Sequence, residues 1–203
     1  MKENRMKLLQ DIQNAAIDKN ESATNLLRRC LILATRLQNA SIRAWVESEL
    51  SGYGPDDALP DYRKFGSQVK GHFVGWFGRQ VNNFTVPPGA LPEQLRVAAK
   101  ELHVRGPIRE LEQLLEGDAS SFMMPGGDLP LHLGNVLQEM NCVAAWYEIP
   151  RGSVEGLVDA IRTRILTLTL DLESSLADDQ PRKGSTADAV EDLVKKTLYG
   201  MDQ

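Results

Sequence analysis

The sequence predicts an α+β fold: a mostly helical single domain with a small antiparallel sheet and a C-terminal helical tail. Three observations predict it. Apolar residues recur at helical spacing in three stretches before Gly52 and again over residues 154–172. Between them, residues 68–86 and 142–149 change to a strand pattern. After residue 176 a polar stretch holding Pro181 and Gly184 sets a last amphipathic segment apart. The expected organisation is one domain over residues 1–176, a linker over 177–187 and a short helical tail over 188–203.

Residues 4–19 read as a first helix, with Leu8, Leu9, Ile12, Ala15 and Ala16 on one face. Ser22 is the expected N-cap of a second helix over 23–38. Its apolar residues cover more than one stripe, which predicts burial on several sides. Asn39 is expected to end it. A third helix follows at once, with Ile42, Trp45, Val46 and Leu50 together, and Ser51-Gly52 stops it. Gly54-Pro55-Asp56-Asp57 signals a turn, and Leu59-Pro60 forces extended chain before Asp61-Tyr62-Arg63.

Residues 68–77 alternate as a strand, Gly78-Arg79-Gln80 reads as a turn, and Val81 to Val86 as a second strand before Pro87-Pro88. Gly71 and Gly75 share a face, so a close neighbour is expected there, with a helix as the plainest candidate and a binding groove as the alternative. Helices are expected from Pro92 to Leu102 and from Pro107 to Leu115, then a loop over 117–129. A short helix over 130–140 and a strand over 142–149 follow, the strand joining the hairpin in one sheet. Ser153 is the expected cap of a helix over 154–176, with a stripe of Val154, Leu157, Val158, Ile161, Ile165, Leu168 and Leu172. Residues 165–172 also alternate like a strand, but the helical stripe runs further. Val190, Leu193, Val194 and Leu198 give the tail helix an apolar side. Such a short helix needs a surface to cover it. The expected surface belongs to another chain, with docking on its own domain or plain fraying as the alternative.

Composition excludes more than it assigns. Of the 203 residues, 42% are hydrophobic and 25% charged, the balance of an ordinary globular protein. The formal net charge is −5, with sixteen basic and fourteen acidic residues before residue 117 and seven against fourteen after it. A wholesale phosphate-binding surface needs a basic excess that the chain lacks. Two cysteines, Cys30 and Cys142, make no disulfide framework and read as reduced, buried hydrophobes. No apolar run is long enough for a membrane span, and the N-terminus leads into an amphipathic pattern, so a cytoplasmic setting without membrane contact is expected.

Signals for chemistry are thin. His72, His103 and His132 are scattered without metal-ligand spacing, and no phosphate loop or nucleophile elbow occurs. No metal or cofactor is therefore expected. Arg28, Arg29, Arg36 and Arg43 form a weak candidate for phosphate binding, against the plainer reading of a solvated face with ion pairs. Glu47 and Glu49 point apart on a helix and are no catalytic pair. Glu49 lies near the Trp45 face, and a buried carboxylate there needs a partner, for which Arg63 is the candidate. Trp45, Glu49, Tyr53, Asp61, Tyr62 and Arg63 are accordingly the candidate binding site, or else a structural cluster that fixes the loop.

Trp45-x-x-x-Glu49-Leu50-x-Gly52-Tyr53 followed by Leu59-Pro60-Asp61-Tyr62-Arg63 resembles the signature of the AbiTii domain family. Leu26-Leu27-Arg28-Arg29, Leu33-Ala34-x-x-Leu37, Arg162-x-Arg164-Ile165-Leu166 and Leu170-Asp171-Leu172-Glu173 fit the same pattern, over about residues 8–176. The resemblance implies a setting in bacterial abortive infection and antiphage defence, and brings no catalytic residue with it. The function expected is a non-catalytic interaction and oligomerisation module with a protein partner of a defence system. The alternatives are an effector enzyme, a nuclease or nucleotide hydrolase, and a nucleic-acid-binding module, which is not favoured.

Overall fold

The computed structural model describes residues 2–134 and 136–177. In chain order the elements are α1 (Lys2–Ile17), α2 (Ala23–Leu37), α3 (Ala40–Ser51), β1 (Lys64–Phe65), β2 (Gln68–Gly75), β3 (Gln80–Thr85), α4 (Glu93–Lys100), β4 (Leu102–His103), α5 (Ile108–Leu115), β5 (Ser121–Pro125), α6 (Leu129–His132), β6 (Met140–Pro150) and α7 (Arg151–Ala177). The fold class is α+β and mostly helical, as predicted. The expected tail helix, with Val190, Leu193, Val194 and Leu198, lies outside the described residues. So does all but the first residue of the expected linker.

Contacts divide the described chain into two compact units. The first, residues 2–63, 105–116 and 155–177, is helical. Leu26, Leu27, Cys30 and Leu33 of α2 are buried while Ile32 is exposed, so α2 buries one broad face and not the several sides expected of it. Ser22 caps α2 by accepting from the Asn25 amide, 3.1 Å away. Asn39 does not end α2. Gln38 does, in the left-handed conformation, and Asn39 caps α3 by accepting from the Ile42 amide at 2.8 Å. Glu112 of α5 accepts from the Ala23 and Thr24 amides, placing a carboxylate at the N-terminus of α2.

The helical reading of residues 154–176 holds. Val154, Leu157, Ile161, Ile165, Leu168 and Leu172 are buried, and Val158 is half-buried. The threonines that suggest a strand instead return hydroxyl bonds to the preceding turn, Thr167 to Thr163 O and Thr169 to Ile165 O, both at 3.0 Å. Ser153 is not the cap, since α7 already begins at Arg151.

The second unit, residues 64–104 and 117–154, holds a four-stranded antiparallel sheet in the order β3-β2-β6-β5. The predicted hairpin and its joining to the 142–149 strand are both present. Val69 and Phe73 of β2 turn to a core completed by Val86, Leu91, Ala99, Leu129, Leu133 and Met140. Several local expectations are corrected here. The predicted loop 117–129 contains the edge strand β5, which runs from Ser121 to Pro125 and pairs with β6 from Pro150 to Trp146. Pro125 fits because it closes an edge strand, where the missing N–H costs no ladder bond. The helix expected over 130–140 is a single turn, α6, and β6 starts at Met140. α4 stops at Lys100, and Leu102–His103 pairs with Lys64–Phe65 instead of extending the helix.

Gly71 is crowded by a neighbouring strand, not a helix: a Cβ there would lie 3.0 Å from Ala144 O and 3.2 Å from Cys142 Sγ. Cys142 itself is half-buried, whereas Cys30 is fully buried. β2 ends at Gly75, and the hairpin turn lies at Trp76–Arg79, before the predicted Gly78–Gln80.

Candidate functional site

The candidate site lies within the helical unit, where α3 runs into the loop after it. α3 presents Trp45 and Glu49 on its buried face, one turn apart. Gly52, with φ +87°, ends the helix and lets the chain turn inward. A Cβ on Gly52 would lie 2.9 Å from Arg105 O, so the loop passes directly against the segment before α5. The Tyr53 amide donates to that same Arg105 carbonyl at 2.8 Å. Arg105 returns its guanidinium to the Gly54 and Asp57 carbonyls, tying the Gly-Pro turn down. A single 3-10 turn, Asp61–Arg63, then brings Tyr62 and Arg63 back to Glu49.

The centre is a closed polar cluster. Glu49 and Arg63 are both 0% exposed. Arg63 Nη2 donates to Glu49 Oε2 at 2.6 Å, and Nε lies 3.2 Å from both carboxylate oxygens. Tyr53 and Tyr62 each donate a hydroxyl to Glu49 Oε1, at 2.6 and 2.7 Å. Trp45 Nε1 donates to the Tyr62 oxygen at 2.8 Å. Arg63 Nη1 reaches the Gly106 carbonyl at 2.8 Å. The two guanidinium faces are used as well: Arg63 lies over the Tyr53 ring at 4.8 Å and Arg164 of α7 over the Tyr62 ring at 4.3 Å. Burial, and then the charge of Glu49, push both phenol pKa values far above the ordinary tyrosine range. Both tyrosines are hydrogen-bond donors to a fixed anion.

Five of the six predicted residues, Trp45, Glu49, Tyr53, Tyr62 and Arg63, therefore meet in one network. Asp61 is exposed at the start of the 3-10 turn. Three participants escape a sequence reading of the site: Arg105, Gly106 and Arg164. Gly106-Pro107 is legible as a helix break, but not as the acceptor strap for Arg63. Arg164 lies in a segment that matches the family pattern, which is the one signal that marks it.

The AbiTii family model matches residues 7–196. The chain belongs to the AbiTii family. The match covers nearly the whole chain and continues past residue 176, where the sequence resemblance stops. No curated protein and no solved structure matches the chain. AbiTii membership suggests a role in abortive-infection defence, which is what the name refers to.

The arginine candidates of this AbiTii chain are spread over α2 and α3 and mostly have local partners. Arg28 donates to Asn25, Arg29 pairs with Glu21 at 3.1 Å, and Arg43 pairs with Glu47 at 2.8 Å; Arg36 is exposed. Glu47 thus faces solvent while Glu49 faces the core, the divergence their spacing predicts. His72 accepts from the Asn83 amide and lies tilted against the Trp146 ring, His103 contacts Glu101, and His132 contacts Asp128. Among the described residues, no group of three or more His, Cys, Asp or Glu is placed to hold a metal ion, and no helix is long and apolar enough to cross a membrane.

Proposed function

We infer that this AbiTii chain is a non-catalytic protein-interaction and self-association module of a bacterial abortive-infection system, acting in the cytoplasm. The observation that carries the reading is the closure of Glu49. A general acid or base has to reach a proton on its substrate. Glu49 has no exposed surface, and its oxygens are occupied by two phenols and a guanidinium. A carboxylate offers about four acceptor sites, and this one has spent them on its own chain. The motif that best marks the family therefore serves to lock α3, the 53–63 loop and the Arg105–Pro107 strap together. Large apolar side chains stand elsewhere in solvent, Trp76 at 76% and Phe77 at 107% exposure, and these favour contact with other proteins.

The test is to measure the mass of the purified full chain across concentration by sedimentation velocity, and to incubate it with nucleic acid and nucleoside triphosphates with and without divalent cations. Self-association without turnover supports the module. Cleavage or hydrolysis that stays with the chain through purification would replace it with the effector enzyme.

A further inference from the structure

The hairpin between β2 and β3 turns on Trp76-Phe77-Gly78-Arg79. The Arg79 amide donates to the Trp76 carbonyl at 3.2 Å, and the Gly75 amide to the Arg79 carbonyl at 2.8 Å. Both central residues have positive φ, Phe77 at 57° and Gly78 at 76°. This is the pattern of a type I′ hairpin turn, whose first central position is the province of Asn, Asp and Gly. A phenylalanine there is strained, and its ring gains no burial in return, being fully exposed beside an exposed Trp76. Nothing in the fold of this unit requires either ring.

Beside the turn lies a cleft of about 690 Å³ with Val74, Trp76, Leu137, Met140 and Val143 among its walls. Glu139, another non-glycine residue with positive φ, stands exposed at this cleft, and Arg79 is exposed at the turn. Both come close to Gly75: a Cβ there would meet Glu139 O at 3.0 Å and Arg79 Cβ at 3.7 Å. The patch thus contains an apolar knob, an apolar cleft, a positive and a negative charge, all around one strand end. Arg79 and Glu139 form no ion pair among the described residues.

A surface that carries both halves of a contact is what a two-fold self-association requires, since each feature must meet its complement on an identical surface. We propose that Phe77 of one copy seats in the cleft beside Trp76 of a second copy, with Arg79 of each facing Glu139 of the other. The inference rests on the self-association in the proposed function and gives that self-association its surface. Two exchanged rings and two charge pairs make a small interface, so the assembly should depend on concentration and on salt.

Sedimentation velocity on the full chain tests it with three variants. Phe77→Asn places the favoured residue in the turn, so the melting temperature should stay the same or rise. Self-association should weaken about tenfold or more, as expected for a central aromatic anchor. Arg79→Glu and Glu139→Arg should each weaken it, and the double variant should restore it, because opposite charges face each other again. An assembly whose dissociation constant is unmoved by Phe77→Asn overturns this surface and leaves the module reading standing. A double variant no tighter than either single one overturns the charge pairing. A wild-type chain of single-chain mass at every concentration overturns both the surface and the self-association, and if that chain co-sediments with anionic vesicles through Phe77 the tip belongs to a membrane instead.

Discussion

Arg63 Nη2 lies 2.6 Å from Glu49 Oε2, and neither side chain exposes any surface. A pair this deeply buried has lost all hydration, so each partner depends on the other and on the two tyrosines. Breaking it from one side leaves an uncompensated charge in the interior, a loss of about 3–5 kcal/mol. Removing both charges leaves none.

Glu49→Met and Arg63→Met are therefore each expected to destabilise the chain by about 3–5 kcal/mol in urea titrations. The double variant Glu49→Met with Arg63→Met should cost clearly less than the sum of the singles. Additive losses would mean that the two side chains are held independently, by the tyrosines and by Gly106.

Gly52 is expected to resist any side chain. It combines φ +87° with a position where a Cβ would lie 2.9 Å from the Arg105 carbonyl and 3.3 Å from Pro107 N, both backbone atoms. Gly52→Ala strains the helix end and pushes the strap away, so a loss of about 1–3 kcal/mol or more is expected from thermal melts. An unchanged melting temperature would show that the loop can leave the strap without cost.

The tyrosines of the cluster set the alkaline limit of the fold. Their folded pKa values are raised above the ordinary 10.0 of a phenol, by burial first and then by the Glu49 charge. Folded chain then holds protons that unfolded chain releases once the pH passes about 10. Their contribution is complete below that value and falls as the pH climbs beyond it. Absorbance at 295 nm should show Tyr53 and Tyr62 ionising only together with unfolding, while Tyr53→Phe moves the alkaline midpoint upward if the phenolate is what drives it. Reversible ionisation of both phenols in a folded chain would contradict the closed network.

How much of this was legible depended on the range of the signal. The long helices were, because their stripes repeat over several turns, and α7 keeps its period even where its threonines alternate. The Glu49–Arg63 pair was legible too, since two opposite charges bracket a short Gly-Pro loop beside a buried face. The Arg105–Gly106 strap was not. It lies 43 residues from Arg63, and no periodicity spans such a distance. β5 offers five edge residues between glycine-rich segments, too few to establish an alternation, and β1 and β4 have two residues each. At Phe77 the apolar alternation of β2 continues in the sequence beyond the point where the backbone turns, so the pattern overruns the end of the strand at Gly75.

Cys30 should be inert in the native state. Its thiol is fully buried on α2, and burial alone pushes its pKa from 9.0 to about 12. Cys142 is half-buried on β6, and its partial burial pushes the thiol pKa up as well. A thiol reagent at neutral pH is expected to modify Cys142 slowly and Cys30 only after denaturant is added. Fast, equal labelling of both in buffer would show that α2 opens readily.

Ile165 marks the centre of α7 and gives the sharpest test of its face. The side chain is 0% exposed, in line with Ile161, Leu168 and Leu172. Truncating it loses the transfer energy of three carbons and leaves a cavity that a helix flanked by α1 fills only in part. α1 and α7 are also joined by Gln13 donating to Glu173 at 2.8 Å and by Arg162 donating to the Ala16 carbonyl at 3.2 Å, which limits how far the helices can collapse together. Ile165→Ala should therefore cost about 2–5 kcal/mol in a denaturant titration. Leu166→Ala, one residue on and only half-buried, should cost less. If the two variants lose equal stability, the packed face of α7 is not the one described, and the helical stripe that predicts it would have to be redrawn.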